Sequence, residues 1–465
     1  MLFKKFYKAR VGSYCNQIME INLRYKIKQD TDCKCIFCKD NRAFKLPNQL
    51  LEAILENKAV IFAGAGISSE SRSIFPFSMY DDIKLELKIP KSKKYNFPDL
   101  MSKYCIVKGR SKLLQKIKGR LDYIESFPEL FRNTTRFHEE LSTLYHIQSI
   151  ITTNWDDYFE KQCGAMPIVN STDYAFWDNP GRKVFKIHGS INNFGSVVAT
   201  KEDYDKCYKN LTRGAVGSSL KHFLATKTII FIGYSFGDYD FNRIYGFIKR
   251  DMGDILPRSY VVTPSQTFSD SGLSVINTDG TFFIKTLKKH LVDKGDLIND
   301  ERFSGVYFGL MRVQSIHFKT SKMNFRKNPA LMYSTSYQDG VIHAFERILA
   351  LKKTGFYSHA HNTQHSVRGY DEIKKAKLKI KKYFDVAYID GYINGLLYLL
   401  ADDRFRKFMP LYYVFGSDED LSTEAKFKKT VAKAQKIHKA SYVSATEIVK
   451  KYNSAEVLHH TPFLL

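Results

Sequence analysis

The chain has no apolar run approaching the ~20 residues that a membrane-spanning helix needs, which argues against an integral membrane protein. It has only seven cysteines, an odd number without framework spacing, so a disulfide-stapled secreted scaffold is not expected and a reducing cytoplasm is. Residues 1–8 show neither the apolar stretch nor the cleavage pattern of a signal peptide, and the expected location is cytoplasmic. Acidic residues are scarce: 48 Asp and Glu against 72 Lys and Arg leave a formal net charge of +24. Such an imbalance favours contact with polyanions, whether nucleic acid or an acidic partner. No zinc-finger, RNA-binding or helix-turn-helix pattern accompanies it, so a solvated lysine-rich surface is the favoured reading and direct nucleic-acid binding the less favoured one.

What is present has the balance of a globular protein. Apolar residues make up 44% and charged residues 26% of 465, enough for two or three domains with sizeable cores. The chain is organised around residues 59–69, where Val60-Ile61-Phe62-Ala63 runs into Gly64-Ala65-Gly66 and then Ile67-Ser68-Ser69. A short continuous apolar run is the pattern of a buried parallel strand. Two glycines one residue apart permit a tight turn and close backbone approach to a ligand, and Ser68 and Ser69 could open a helix whose N–H groups face a phosphate. A purely structural turn explains the same residues equally well. Three further strand-like runs end in polar residues: 149–156 in Thr153-Asn154-Trp155-Asp156, 184–190 in His188-Gly189-Ser190, and 228–238 in Gly233-Tyr234-Ser235-Phe236-Gly237-Asp238. Ligands of open parallel sheets bind beyond the carboxyl ends of the strands, so four such ends can converge on one crevice.

The order Gly64-Ala65-Gly66-Ile67-Ser68, Thr153-Asn154-x-Asp156, His188-Gly189, Gly233-x-Ser235 resembles the sirtuin family, and more closely the sirtuin-like NAD hydrolases of bacterial antiphage systems. The likeness covers roughly residues 50–290. It implies an α/β fold, a Rossmann-like doubly wound parallel sheet, here with a helical insertion at about 79–147 and a mainly α-helical C-terminal region. NAD is then the substrate, and the basic charge gains its pyrophosphate as a candidate polyanion. The resemblance implies cofactor contacts from Gly64, Ala65, Gly66, Ile67, Ser68, Thr153, Asp156, Gly233, Tyr234 and Ser235, with Asn277 beside the adenine. Asp156 serves as a ribose contact or as a structural cap with similar force, and Trp155 is expected to pack rather than stack on a base.

Asn154 and His188 are the catalytic candidates. Breaking the nicotinamide–ribose bond passes through an oxocarbenium-like sugar, and a nucleophile must then reach the anomeric carbon. An amide can hydrogen-bond both a ribose hydroxyl and an attacking water, and an imidazole can take a proton from either. A histidine before glycine is commonly a turn or core residue; its place after Thr-Asn-x-Asp is what favours acid–base work.

Departures from the deacetylase branch are informative. That branch carries Gly-Ile-Pro-Asp-Phe-Arg after the glycine turn, whereas this chain offers only Arg72 and Phe75 to cover the nicotinamide end. It has Gln where Thr153 precedes Asn154. It also has two Cys-x-x-Cys pairs where this chain has only Cys207 between His188 and Gly233, so no zinc is expected in the catalytic domain and no metal site is assigned. Water becomes the expected nucleophile, with nicotinamide and an ADP-ribose product. The expected role is NAD depletion as an antiphage, abortive-infection effector. The alternatives are an NAD- or nucleotide-binding scaffold without turnover and, third, a protein deacylase.

The remaining expectations concern organisation. Residues 1–45 form an N-terminal extension whose Cys15, Cys33, Cys35 and Cys38 read as thiols rather than a zinc knuckle, since only one Cys-x-x-Cys pair is present. Residues 46–298 form the NAD-binding catalytic domain, opened by a helix at 48–58 and closed by one at 282–291, with another helix running through Phe241, Ile244, Phe247 and Ile248. The insertion at 79–147, broken at Phe127-Pro128, is a candidate lid. Residues 299–465 form a helical oligomerisation or partner domain, with helices at 339–353, 370–400 (two) and 424–452. His359, His361 and His365 read as a polar loop rather than a metal site, and His459-His460 as a tail. A homo-oligomer is expected, and the resemblance alone adds a DNA-translocating partner ATPase, with a phage-derived activator as the other candidate partner.

Overall fold

The computed structural model describes residue 35 and residues 37–68, 75, 78–234, 245–246, 248–250, 252–265, 272–401, 406–407, 409–417, 419, 421–451 and 459–462. Ser69, Arg72, Ser235, Cys15, Cys33 and most of the expected helix through Phe241 and Phe247 lie outside them. Seven strands make one parallel sheet: β1 (Ala59–Ala63), β2 (Ser149–Thr152), β3 (Met166–Ile168), β4 (Lys183–Lys186), β5 (Thr228–Ile232), β6 (Ser259–Val262) and β7 (Leu273–Ile276). Their order is β3-β4-β2-β1-β5-β6-β7.

Side-chain alternation splits each strand between two cores. Ala59, Ile61 and Ala63 face one side with Ile150, Val184, Ile230 and Val262; Val60 and Phe62 face the other with Ile151, Phe185, Phe231 and Val261. Because both faces are covered, the strands are apolar throughout, and all five residues of β1 are buried. The first face is closed by α1 (Asn48–Leu55), α6 (Arg136–Ser142), α7 (Tyr158–Cys163) and α10 (Gly280–Asp293), and the second by α8 (Lys201–Arg213) and α9 (Ala215–Thr226). This is the doubly wound α/β arrangement that the sequence led us to expect. The chain leaves β1 towards β2 on one side and later returns to β5 on the other, so the crevice between these connections opens above the ends of β1 and β5.

Between β1 and β2 lie α2 (Met79–Glu86), α3 (Phe97–Lys108), α4 (Arg110–Ser126), α5 (Pro128–Thr134) and α6. Pro128 starts α5, where its missing N–H costs nothing. Ile83, Leu100, Met101, Tyr104, Leu113 and Ile117 form a separate small core with Ile191 and Val197, so the insertion packs as a unit over the post-β4 loop.

The C-terminal region is helical: α11 (Glu301–Thr320), α12 (Leu331–Leu351), α13 (Ala360–Lys379), α14 (Tyr383–Leu400), α15 (Glu424–Ile437) and α16 (Lys439–Lys451) share one hydrophobic core. α12 and α14 approach through glycine: a Cβ on Gly391 would lie 1.9 Å from the Tyr337 carbonyl oxygen and one on Gly340 2.0 Å from that of Tyr388. This core meets the sheet region behind β2. His359 stacks on Tyr145 at 5.2 Å, its ring lies 5.1 Å from that of His146, and the Ile298 N–H donates to the Ser358 carbonyl at 2.8 Å.

Two expectations are corrected. His361 and His365 lie in α13, not in a loop, because Asn362 and Thr363 donate back to the carbonyls of Phe356 and Tyr357 and so support the helix start. His459 and His460 are not a loose tail: His460 is buried and stacks on Tyr388 with centroids 4.0 Å apart. Among the described residues no helix is long and apolar enough to cross a membrane.

Candidate active site

The glycine turn after β1 works because it must touch the turn after β5. Gly64 N–H donates to the Ile232 carbonyl at 3.0 Å and Gly66 N–H to that of Gly233 at 2.9 Å, so the two strand ends are clipped by backbone bonds. Gly233 has φ +62, a left-handed conformation, and a Cβ there would lie 2.5 Å from the Ile67 nitrogen. A Cβ on Gly64 would lie 2.5 Å from the Gly233 oxygen. The chain makes one 3-10 turn, Ala65–Ile67, and the helix expected from Ser68 and Ser69 falls outside the described residues.

The end of β2 is tied to that turn. Thr152 Oγ1 donates to the Ala63 carbonyl at 3.0 Å and accepts the Asn154 N–H at 3.0 Å. The Asn154 side chain, only 6% exposed, places Nδ2 3.3 Å from both the Gly64 carbonyl and Ser68 Oγ. Ser68 Oγ in turn donates to Asp156 Oδ2 at 3.1 Å, and Asp156 Oδ1 accepts the Tyr158 N–H at 3.3 Å. Asn154, Ser68 and Asp156 are thus linked in series. Both donors of the Asn154 amide are engaged, while its buried Oδ1 has no hydrogen-bond partner among the described residues. An orphaned buried carbonyl costs about 1–3 kcal/mol, which a ligand hydroxyl or water would recover.

A buried ammonium supports this loop from below. Lys186, at the end of β4 and with no exposed side-chain surface, donates to the Asp156 carbonyl and pairs with Glu160 at 3.0 Å. Burial pushes the Asp156 and Glu160 carboxyls above their usual range, and the Lys186 charge opposes that rise. Two residues on, His188 is 4% exposed and meets the Tyr204 ring edge-on at 5.0 Å. Gly189 at φ +82 turns the chain there, since a Cβ would lie 2.0 Å from the Ser196 oxygen.

These strand ends line one cavity of about 1510 Å³. It exceeds the 300–1,000 Å³ of ordinary small-ligand pockets and has room for a dinucleotide. Of the residues singled out in the sequence, Gly64, Ala65, Gly66, Ser68, Thr153, Asn154, Asp156, His188, Gly233 and Tyr234 line it. Ile67 does not: its side chain is buried in the core below. Nor does Asn277, which accepts from Arg42 Nη1 at 2.7 Å and donates to the Thr263 and Ser265 carbonyls, bracing the rim segment after β6 that does line the cavity. Sequence reasoning missed the opposite wall: Tyr204, Asp205 and Tyr208 of α8, and Phe97, Ile117, Arg120 and Leu121 of the insertion. The i, i+4 spacing of Tyr204 and Tyr208 was the available signal. Trp155 lines the cavity and packs on Phe97 at 6.1 Å. Arg120 lies 4.0 Å over the ring of Phe75, which ties that residue to the insertion.

Comparison with known proteins agrees with this geometry. Residues 148–279 match the SIR2-like domain, a span that holds the Asn154, His188 and Gly233 motifs. The chain is 32% identical over 215 residues to an NAD(+) hydrolase ThsA of Cytobacillus dafuensis, covering 45% of this chain and 41% of that protein. It is 28% identical over 260 residues to an NAD(+) hydrolase ThsA of Enterococcus faecium, covering 54% and 48%. To defense-associated sirtuin 2 of Bacillus subtilis it is 23% identical over 295 residues, covering 60% and 28%. The chain therefore spans less than half the length of each of these relatives. The strand order and the clipped glycine turns accord with the match of residues 148–279 to the SIR2-like domain.

Proposed function

We propose that the protein hydrolyses NAD to nicotinamide and an ADP-ribose product, and that the cavity above β1, β2, β4 and β5 is where it does so. The observation that carries this reading is the Asn154 amide, which is buried, anchored through Nδ2, and left with an Oδ1 that has no partner among the described residues, beside a cavity that His188 also lines. In the reaction the C–N bond between ribose and nicotinamide breaks, and nicotinamide leaves with the bonding pair as a neutral ring. Water forms the new C–O bond at the anomeric carbon and gives up a proton. Asn154 Oδ1 would accept from a ribose hydroxyl or from that water, and the His188 imidazole would take the proton. Gly64, Ala65, Gly66, Gly233 and Tyr234 would hold the phosphates and the adenosine side, with Ser68 and Asp156 fixing the amide.

The relatives' names support a role in defence, and the reading extends to NAD depletion as an abortive-infection effector in the cytoplasm. Residues 46–298 would be the catalytic domain and 299–465 the part that binds further copies, a partner ATPase or a phage-derived activator. The test is nicotinamide release on incubation with NAD alone, in the isolated and the natively copurified protein, with and without an acetylated peptide. Release that needs no peptide, and that Asn154→Ala and His188→Ala abolish, supports the proposal. Tight NAD binding with no release from any active assembly would turn the domain into a scaffold.

A further inference from the structure

A second cluster of chemistry-bearing side chains lies in the C-terminal helices, away from the strand ends. His317 is in the last turn of α11, Asp339 is in the middle of α12, and His459 is in the 459–462 segment. His317 Nε2 is 3.2 Å from His459 Nδ1 and 3.4 Å from Asp339 Oδ1, and His459 Nδ1 is 3.3 Å from the same carboxylate oxygen. The three atoms form a nearly equilateral triangle. A tetrahedral zinc ion bound at about 2.0–2.1 Å sets its ligand atoms about 3.3–3.4 Å apart, so the triangle has the size of one face of that tetrahedron.

Hydrogen bonding around the triangle fixes which atoms can donate electrons into it. Gln338 Nε2 donates to the Leu411 carbonyl at 2.7 Å, which only accepts, and to Thr320 Oγ1 at 3.3 Å. The amide orientation is therefore set, and Gln338 Oε1 faces His317 Nδ1 at 3.2 Å. Nδ1 must carry the proton there, which leaves neutral His317 with a bare lone pair at Nε2 pointing at the cluster. This is the outer hydrogen bond that orients metal-bound histidines. Asp339 is oriented in the same way: its Oδ2 accepts the His460 N–H at 2.8 Å, which leaves Oδ1 to the two imidazoles. With Nε2 bare, a proton inside the triangle would sit on His459 Nδ1, shared between His317 Nε2 and Asp339 Oδ1, whereas a cation above the triangle serves all three.

We propose that His317 Nε2, Asp339 Oδ1 and His459 Nδ1 bind a divalent transition ion of the zinc type, with a fourth position open to water. Bound there, the ion would fasten the 459–462 segment to α11 and α12 and act as a structural clip for the C-terminal bundle. Side-chain exposure rises from 8% at Asp339 through 13% at His317 to 44% at His459, so one edge of the site is reachable from solvent.

The test uses the full chain, stripped with a chelator and titrated with Zn²⁺ against a competing chromogenic chelator. A parallel chain carries Cys15→Ser, Cys33→Ser, Cys35→Ser and Cys38→Ser, so that thiolate binding is separated from the proposed site. One zinc per chain should persist in the four-serine form, and its affinity should fall about 100-fold or more with His459→Ala in that background. Zinc should raise the thermal midpoint of the parent and not that of His459→Ala, a substitution at a partly exposed position that spares the core. Gln338→Leu should weaken binding about 10–100-fold by removing the Nδ1 acceptor. Failure of the four-serine chain to bind zinc, or equal binding by its His459→Ala form, would overturn the proposal and leave a hydrogen-bonded His–Asp–His cluster. Neither result depends on NAD turnover.

Discussion

In the sheet region polar side chains sit at strand ends beside an open cavity, whereas in the first half of α12 a run of them is consumed by neighbouring carbonyls. Ser334 donates to Tyr413, Ser336 to Phe384, Tyr337 to Pro410 and Gln338 to Leu411, each through a backbone oxygen. Asn154 instead keeps a buried oxygen unpartnered among the described residues. Satisfied polar groups specify how helices pack; an unsatisfied one carries a cost that a ligand can remove. The contrast separates a run of side chains that fix how α12 packs from an amide that leaves bonding capacity for something else.

The most severe way to break that contrast is to remove the chemistry without disturbing the packing. Asn154→Ala or His188→Ala should lower nicotinamide release by about 10²–10⁴-fold with little change in the thermal midpoint, the range expected for lost acid–base or positioning groups. Retention of most activity by either variant would reassign the site. In the helical region the reverse should hold. Gly391→Ala forces a Cβ into the Tyr337 carbonyl and should cost roughly 3 kcal/mol, the upper end for overpacking, read as an earlier unfolding transition.

Acid sharpens the comparison from another side. His138 is fully buried among Phe137, Tyr158 and Phe159, and burial pushes its pKa down to about 3; that of His146 falls to about 4. With folded pKa values below the ordinary 6.5, the unfolded chain binds these protons first. Their contribution is therefore complete above pH 6.5 and is lost as pH falls from there, towards 3 for His138 and towards 4 for His146, by roughly 1.4 kcal/mol per pH unit for each site. His138→Phe should flatten the urea-midpoint profile between pH 6 and about 4. An unchanged slope would show that the acid-sensitive groups lie elsewhere.

The smallest expected difference is between two helix caps. Thr200 and Asp203 form a reciprocal box at the start of α8, which carries Tyr204 and Tyr208 to the cavity, and Thr423 caps α15. Thr200→Ala and Thr423→Ala should each cost about 1 kcal/mol. Only the first should also weaken NAD binding, measured by calorimetry; equal effects on affinity would mean that the α8 wall does not contact the ligand.

The sheet was legible because parallel strands buried on both faces leave uninterrupted apolar runs, and four of them end in residues whose order is distinctive. β3 was not, since Met166–Ile168 is only three residues long and contains a proline. α12 was expected from residue 339 yet begins at Leu331: Ser334, Thr335, Ser336 and Gln338 obscure the helical pattern, and only the folded bundle supplies the acceptors that make them acceptable there. The α13 histidines were misread for a related reason, a polar stretch whose side chains support a helix start. In the cavity, the motif-bearing floor could be read and the α8 wall could not, because a wall is defined by what faces it across space.

Where His359 stacks on Tyr145, the bundle touches the residues that lead directly into β2, and β2 ends at Thr152, two residues before Asn154. Whatever grips the helices thus has hold of a short rigid rod whose far tip bears the amide. Asn154 lies nine residues on from Tyr145, and four of the residues between them form the strand.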